Sequence, residues 1–389
     1  MRLAAFALTG VILAQQPAIS QQKGGEGETG PYEFDSTFQL QPMQTRPGYV
    51  LGSKSAVFVE SSDRIFIANR GELKLPAELP PTHPEHIYVA PFNGTWASLD
   101  RIPAVSMRPV EMHNCILVVD GNGKMIESWT QWDHLFVVHG TSNPREEGGR
   151  GPHSIKISPY DPEHHVWVVD DLSQQVFEFT NDGKQLVMTL GEHGVAGNDE
   201  THFGKPTDIA FLPDGSFWVT DGYDNTRIVK FDKNGKFQKA VGTPGNGPGQ
   251  FNTPHAIDID RNGRLYVADR DNSRIQVFDS DGKHLDTWPN IFNPYAIMLT
   301  ADNYLGVIDG RLNKVLKYDL QGRLVYAWGT QGVFPGMIWG VHGFHVDQQG
   351  NLIVAEAFGG RMQRFRPSQG ADRTHLIGPP PPLMPKARI

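Results

Sequence analysis

The sequence predicts an all-β chain closed into a six-bladed β-propeller of four-stranded antiparallel blades, on three observations. Blocks beginning at Pro152, Pro206, Pro254 and Pro294 repeat one pattern: PHSIKISPYDPEHHVWVVDD, PTDIAFLPDGSFWVTDG, PHAIDIDRNGRLYVADR and PYAIMLTADNYLGVIDG. Within them, residues rich in Val, Ile, Phe and Trp alternate or run between Asp-Gly, Asn-Gly and Gln-Gly turns, the signature of antiparallel hairpins. Hardly any stretch sustains a 3.6-residue period over three turns, so a helical alternative fails. Four short strands recurring every roughly 40–50 residues describe a propeller blade.

The elements follow in order. Residues 1–20 read as a signal peptide: Met1-Arg2, then an apolar run from Leu3 to Ala14, with Ala14 or Ser20 ending it at a small-residue cleavage site. That run is too short to span a bilayer, and no later segment is long enough, so a secreted or periplasmic location is expected. Residues 21–47 form an N-terminal segment in which YEFDSTFQL is a candidate closing strand for the ring. The propeller covers residues 48–378 as one domain. Its first blade opens with SAVFVESSDRIFIANRG, is interrupted by a Pro-rich insertion at 71–112, and regains two outer strands from CILVVDGNGKMIESW. The four Pro-initiated blades follow, each completed by a polar turn, an apolar strand such as TRIVKF, and a last strand after a Gly turn. VHGFHVDQQGNLIVAE opens the sixth. The tail at 379–389, in GPPPPLMPKARI, reads as extended and dispensable.

Composition narrows the function. The 389 residues include 42 glycines and 29 prolines, an excess that inter-strand turns absorb, while 39 % hydrophobic residues suffice for a sizeable core. A net charge of −8 with no basic block disfavours nucleic acid and anionic membrane surfaces as partners. The single cysteine, Cys115, excludes a disulfide framework, a Cys-rich zinc module and a thiol redox pair.

Comparing equivalent positions across blades isolates a candidate centre. The residues opening the innermost strands face one axis, and they are Ser55, His153, Thr207, His255, Tyr295 and His342. Histidine thus stands on blades two, four and six. One such histidine is ordinarily a hydrogen-bonded structural residue. Three at threefold-related positions suit a divalent metal with an open fourth position, the catalytic zinc pattern, although imidazole also suits copper, iron and nickel. His139 is a competitor without the repeat's spacing, and His345, three positions beyond His342, is a substitute ligand to check. His113, His164 and His165 read as loop or strand residues.

The second strands end in Arg70, Asp170-Asp171, Tyr223, Arg270, Arg311 and Phe358. On the metal-bearing side, Arg70, Tyr223 and Arg270 would stand over the ion. Arginine offers a fork for a carboxylate, and a tyrosine beside a divalent cation ionises below its usual range and serves as a base. The structural alternative pairs each arginine with a neighbouring blade's aspartate; Asp170, Asp221, Asp269 and Asp309 read as inter-blade hydrogen-bonding residues.

GPHSIKI, KPTDIAFLPDGSFWVTDGYDNTRIVKF, GQFNTPHAIDIDRNGRLYVADRDNSRIQVF and VHGFHVDQQGNLIVAEA resemble NHL-repeat propellers and, more narrowly, the peptidyl-α-hydroxyglycine α-amidating lyases. The likeness runs over residues 48–368 and is densest from Phe203 to Phe278. It implies zinc on His153, His255 and His342, Tyr223 as the catalytic tyrosine, and Arg70 and Arg270 as active-site arginines. The substrate class implied is a small molecule or peptide with a carboxylate, its carbinolamide N–C bond cleaved to an amide and glyoxylate by a monomeric enzyme. The resemblance also implies a structural calcium on the main-chain carbonyls of Val57 and Ile155, but Gly343 replaces the expected aspartate, which speaks against calcium here. Two other readings stand beside the lyase: a non-enzymatic propeller that binds or scaffolds through its rims, and a gluconolactonase-type hydrolase, whose acidic and Asn rim ligands this chain lacks.

Overall fold

A computed structural model describes residues 29–38, 40, 45–74, 110–138, 151–332 and 334–387. The expected signal peptide, His139 and most of the insertion lie outside these residues. Six antiparallel sheets, each with at least four strands, form the six blades of a propeller. Two short 3-10 turns, Thr130–Phe136 and Arg270–Asn272, interrupt the described strands.

The regular blades show why the repeat folds this way. In the third, Pro206–Phe211 pairs with Phe217–Asp221, then Arg227–Phe231, then Phe237–Val241. The two middle strands are nearly continuous apolar runs because both of their faces are covered. The fourth strand alternates between half-buried and exposed residues, as an outer strand with one wet face should. The core is divided among six hydrophobic clusters of described residues, each joining two neighbouring blades. Ile209, Phe217 and Val229 of blade three meet Trp167 and Val169 of blade two, for example. Side chains from adjacent blades therefore make one another's interior, and no blade could bury its faces alone.

The closing strand is Tyr32–Phe34, which pairs antiparallel with Met362–Pro367 as the outermost strand of blade six. Tyr32 is fully buried against Trp328, and its hydroxyl accepts a hydrogen bond from the Ile377 amide at 2.9 Å. In blade one, Ile116–Val119 and Met125–Ser128 stand outside Arg64–Lys74, and Val110–Glu111 extends the latter strand's edge.

The tail is extended, as the sequence suggests, but it is tied down rather than idle. The Ala301 amide donates to Pro379 O at 2.8 Å, Met384 N to Pro159 O at 3.1 Å, and Ala387 N to Pro162 O at 2.9 Å. Lys386 pairs with Glu60 at 2.9 Å, and Leu383 packs on the cluster between blades one and two. The tail thus straps the far mouth of the channel, where Pro380 to Pro385 line a cavity of about 880 Å³ whose opposite end is the histidine ring.

Candidate metal centre

All six opening residues share one backbone feature. The strand register skips between Lys54 and Ala56, Pro152 and Ser154, Pro206 and Asp208, Pro254 and Ala256, Pro294 and Ala296, and Val341 and Gly343. Each opener is therefore the extra residue of a β-bulge, which re-aims its side chain toward the axis and frees its carbonyl from the ladder. The freed carbonyls are used. His153 Nδ1 donates to Thr207 O at 2.5 Å, His255 Nδ1 to Tyr295 O at 2.6 Å, and His342 Nδ1 to Ser55 O at 2.9 Å. Each imidazole is thus oriented by the opener of the next blade. With Nδ1 the donor, the assigned tautomer leaves Nε2 as a lone pair facing the axis.

The three histidines are buried, and their candidate ligand atoms lie within 4.8 Å of one another. Burial, reinforced by the neighbouring imidazoles and arginines, pushes His153 and His255 well below the usual histidine range, so both rings are neutral. Pre-oriented imidazole nitrogens converging on one point are the donor set a divalent ion needs, and they fit a metal with an open fourth position.

Tyr223 Oη stands over this ring, 3.1 Å from His153 Nε2 and 2.9 Å from His255 Nε2. It is presented by the turn after Phe217–Asp221. That turn is anchored by Asp221, whose carboxylate accepts from Gly204 N at 2.7 Å, Asn225 Nδ2 at 2.7 Å and Arg227 Nε at 2.9 Å. Arg270 approaches from the equivalent turn of blade four, its Nη1 3.4 Å from Tyr223 Oη. Arg70 is buried beside blade two, where Nε donates to Pro152 O at 3.3 Å and Nη2 lies 4.0 Å from Asp171 Oδ2. Arg311 turns away, over the Phe292 ring. The structure therefore brings Tyr223 and Arg270 to His153 and His255, and Arg70 to the residue before His153.

Some expectations need amending. The pairing with a neighbouring blade's aspartate holds for Arg70, whose Nη2 faces Asp171 of blade two. Three other strand-end acids instead hold arginines five or six positions on in their own blade: Asp221 with Arg227, Asp269 with Arg274, Glu356 with Arg361. Those arginines reach main-chain carbonyls of the loop entering the blade, as Arg274 does at Gly247 and Gln250, and so fix the loops on the metal-bearing face. His345 lies deeper in the channel, 4.5 Å from the Phe58 ring, and is not in the metal-competent cluster.

The axis does not fit the calcium implied by resemblance. A Cβ on Gly343 would lie 2.7 Å from Ser55 O and 2.8 Å from Ala56 Cα, so the backbone leaves no room for an aspartate there. The channel already holds a fixed cation. Lys156 Nζ lies 2.8 Å from Asp208 Oδ2 and donates to Ile257 O at 3.0 Å.

Comparison with known proteins adds the following. A family model described as a 6-bladed beta-propeller matches residues 196–305. The mouse peptidyl-glycine alpha-amidating monooxygenase is 31 % identical over 281 residues, which are 69 % of this chain and 25 % of that protein. A probable peptidyl-alpha-hydroxyglycine alpha-amidating lyase of Caenorhabditis elegans is 39 % identical over 132 residues, 33 % of this chain and 37 % of that one. The human NHL repeat-containing protein 3 is 29 % identical over 248 residues, covering 60 % of this chain and 66 % of the relative. This chain thus spans about a quarter of the mouse protein's length. A solved streptogramin B lyase superposes with a TM-score of 0.51 over 87 % of this chain and 98 % of its own, at 11 % identity, a likeness of fold.

Proposed function

We propose that this six-bladed β-propeller, homologous to the peptidyl-α-hydroxyglycine amidating lyases and to NHL-repeat proteins, is a metal-dependent lyase that cleaves the N–C bond of a carbinolamide. The substrate would be a peptidyl-α-hydroxyglycine or a smaller relative with a free carboxylate, and the products an amide and glyoxylate. One observation carries the reading: a phenol oxygen within hydrogen-bond reach of two metal-competent imidazoles and an arginine. A structural histidine ring has no need of that juxtaposition.

His153, His255 and His342 would hold the metal, for which zinc is the natural candidate. When bound it supplies Lewis acidity that favours the ionised forms of the phenol and of the substrate hydroxyl. Tyr223 Oη would take the hydroxyl proton as the C–O bond becomes a carbonyl. The C–N bonding pair then leaves on nitrogen, and the same proton, returned from Tyr223, completes the amide. Atoms balance without a co-reactant. Arg270 would bind the carboxylate through its Nη1 edge, while Arg70 adds positive potential that favours an anionic substrate.

The test is glyoxylate release from α-hydroxyhippurate by purified protein, before and after chelation and after zinc is restored. Chelator-sensitive release that zinc restores supports the lyase. Metal-replete protein that releases none overturns it. A second reading, a non-enzymatic binding module, is favoured by the extent of the match to NHL repeat-containing protein 3. It expects no turnover and dispensable histidines.

A further inference from the structure

Five of the six opening residues tie their blade to the next one. The histidines donate Nδ1 to the next opener's carbonyl, Ser55 Oγ donates to Pro152 O, and Thr207 Oγ1 donates to Pro254 O at 2.9 Å. Among the described residues, Tyr295 makes no such bond to blade six. Its ring instead enters the centre, 5.0 Å from the His255 ring and 5.5 Å from the His342 ring. Gly310 makes this placement possible, since a Cβ there would lie 2.3 Å from the Tyr295 ring.

The Arg270 guanidinium carbon lies 5.0 Å from the Tyr295 ring centroid and 5.2 Å from that of Tyr223. Both distances fall within cation–π range. Asp271 meanwhile takes the guanidinium's other edge, with Oδ1 3.1 Å from Nε and Oδ2 3.3 Å from Nη2. Two ring contacts and a carboxylate edge thus hold the guanidinium, leaving Nη1 directed at Tyr223 Oη.

We infer that Tyr295 is a positioning residue for carboxylate recognition: its ring, with that of Tyr223, clamps Arg270 so that the Nη1 edge faces the metal centre. The inference rests on the lyase reading, since it assigns Arg270 to the substrate carboxylate. It also predicts that the site selects carboxylate-bearing carbinolamides over their esters, with Tyr295 setting part of that preference. The ring is what matters, not the hydroxyl.

Steady-state kinetics with α-hydroxyhippurate and its methyl ester test this. Tyr295→Ala is expected to raise KM for the acid about tenfold, with kcat and zinc content near wild type and turnover of the ester unchanged. Tyr295→Phe keeps the ring and should restore the wild-type KM. If Tyr295→Ala melts well below wild type, Tyr295→Leu, which fills the space without a π face, takes its place. The clamp is overturned if Tyr295→Phe behaves like Tyr295→Ala, if kcat falls at unchanged KM, or if zinc is lost. Arg270→Ala separates the two readings. A raised KM there with an unaffected Tyr295→Ala removes only the clamp, whereas an unchanged KM in Arg270→Ala removes the carboxylate assignment itself.

Discussion

Two polar layers of the channel sit on the same three strands, three residues apart. At the mouth stand His153, His255 and His342; deeper in stand Lys156, Asp258 and His345. The outer layer gathers imidazole lone pairs and no cation of its own on the strands. In the inner layer Lys156 meets Asp208 and a main-chain carbonyl, and Asp258 accepts from the Leu299 amide at 2.7 Å, while the His345 ring packs on Phe58. Identical scaffolding therefore yields opposite chemistry. A layer whose cation is already matched by a carboxylate serves the fold, whereas one that converges three imidazole nitrogens on one point suits an added ion.

The largest effect should come from emptying the outer layer. On the proposed function, His255→Ala removes one of the three proposed metal ligands and is expected to abolish stoichiometric zinc and lower glyoxylate release by at least about a thousandfold. His345→Leu, on the deeper layer, should leave zinc content unchanged. Elemental analysis of the two purified variants decides it. Equal zinc loss in both would collapse the distinction between the layers.

Removing the inner layer's cation should act on stability instead. Lys156→Met leaves Asp208 without its ammonium and is expected to cost about 3 kcal/mol, several degrees in Tm. With zinc saturating, the wild-type Tm should be indifferent to added calcium, whereas the variant, with its carboxylates uncompensated, should be partly rescued by calcium. A wild-type protein that calcium stabilises under those conditions would show that Lys156 does not do the ion's work.

The sequence carried much of this, for identifiable reasons. Blade periodicity was legible because every repeat obeys the same alternation and turn chemistry, and the histidine ring because equivalent positions can be compared. The bulge that turns His153 to the axis left no mark beyond the recurrent proline before it. Tyr32–Phe34 could be only a candidate closing strand: three residues long, it is specified by Met362–Pro367, more than 300 positions away. Tyr295 looked like one more opener, since only three dimensions place a guanidinium between its ring and that of Tyr223. The strap made by the tail was hidden because prolines that read as an extended, dispensable tail form the far wall of the cavity.

The deeper layer offers one more test, through its pH dependence. Burial, reinforced by the charge of Lys156, pushes His345 down to about 3 in the folded chain. In the unfolded chain the same imidazole titrates near 6.5. Between those values the unfolded state binds the extra proton, so stability falls as the pH drops through that window and is unaffected above it. At pH 5 the contribution is about 2 kcal/mol. His345→Leu lacks the titration, so its stability relative to wild type should improve by about that amount between pH 7.5 and pH 5. Urea melts at the two pH values measure it. A difference that does not change with pH would mean that His345 takes up its proton in the folded channel, and the inner layer would then carry a second cation beside Lys156.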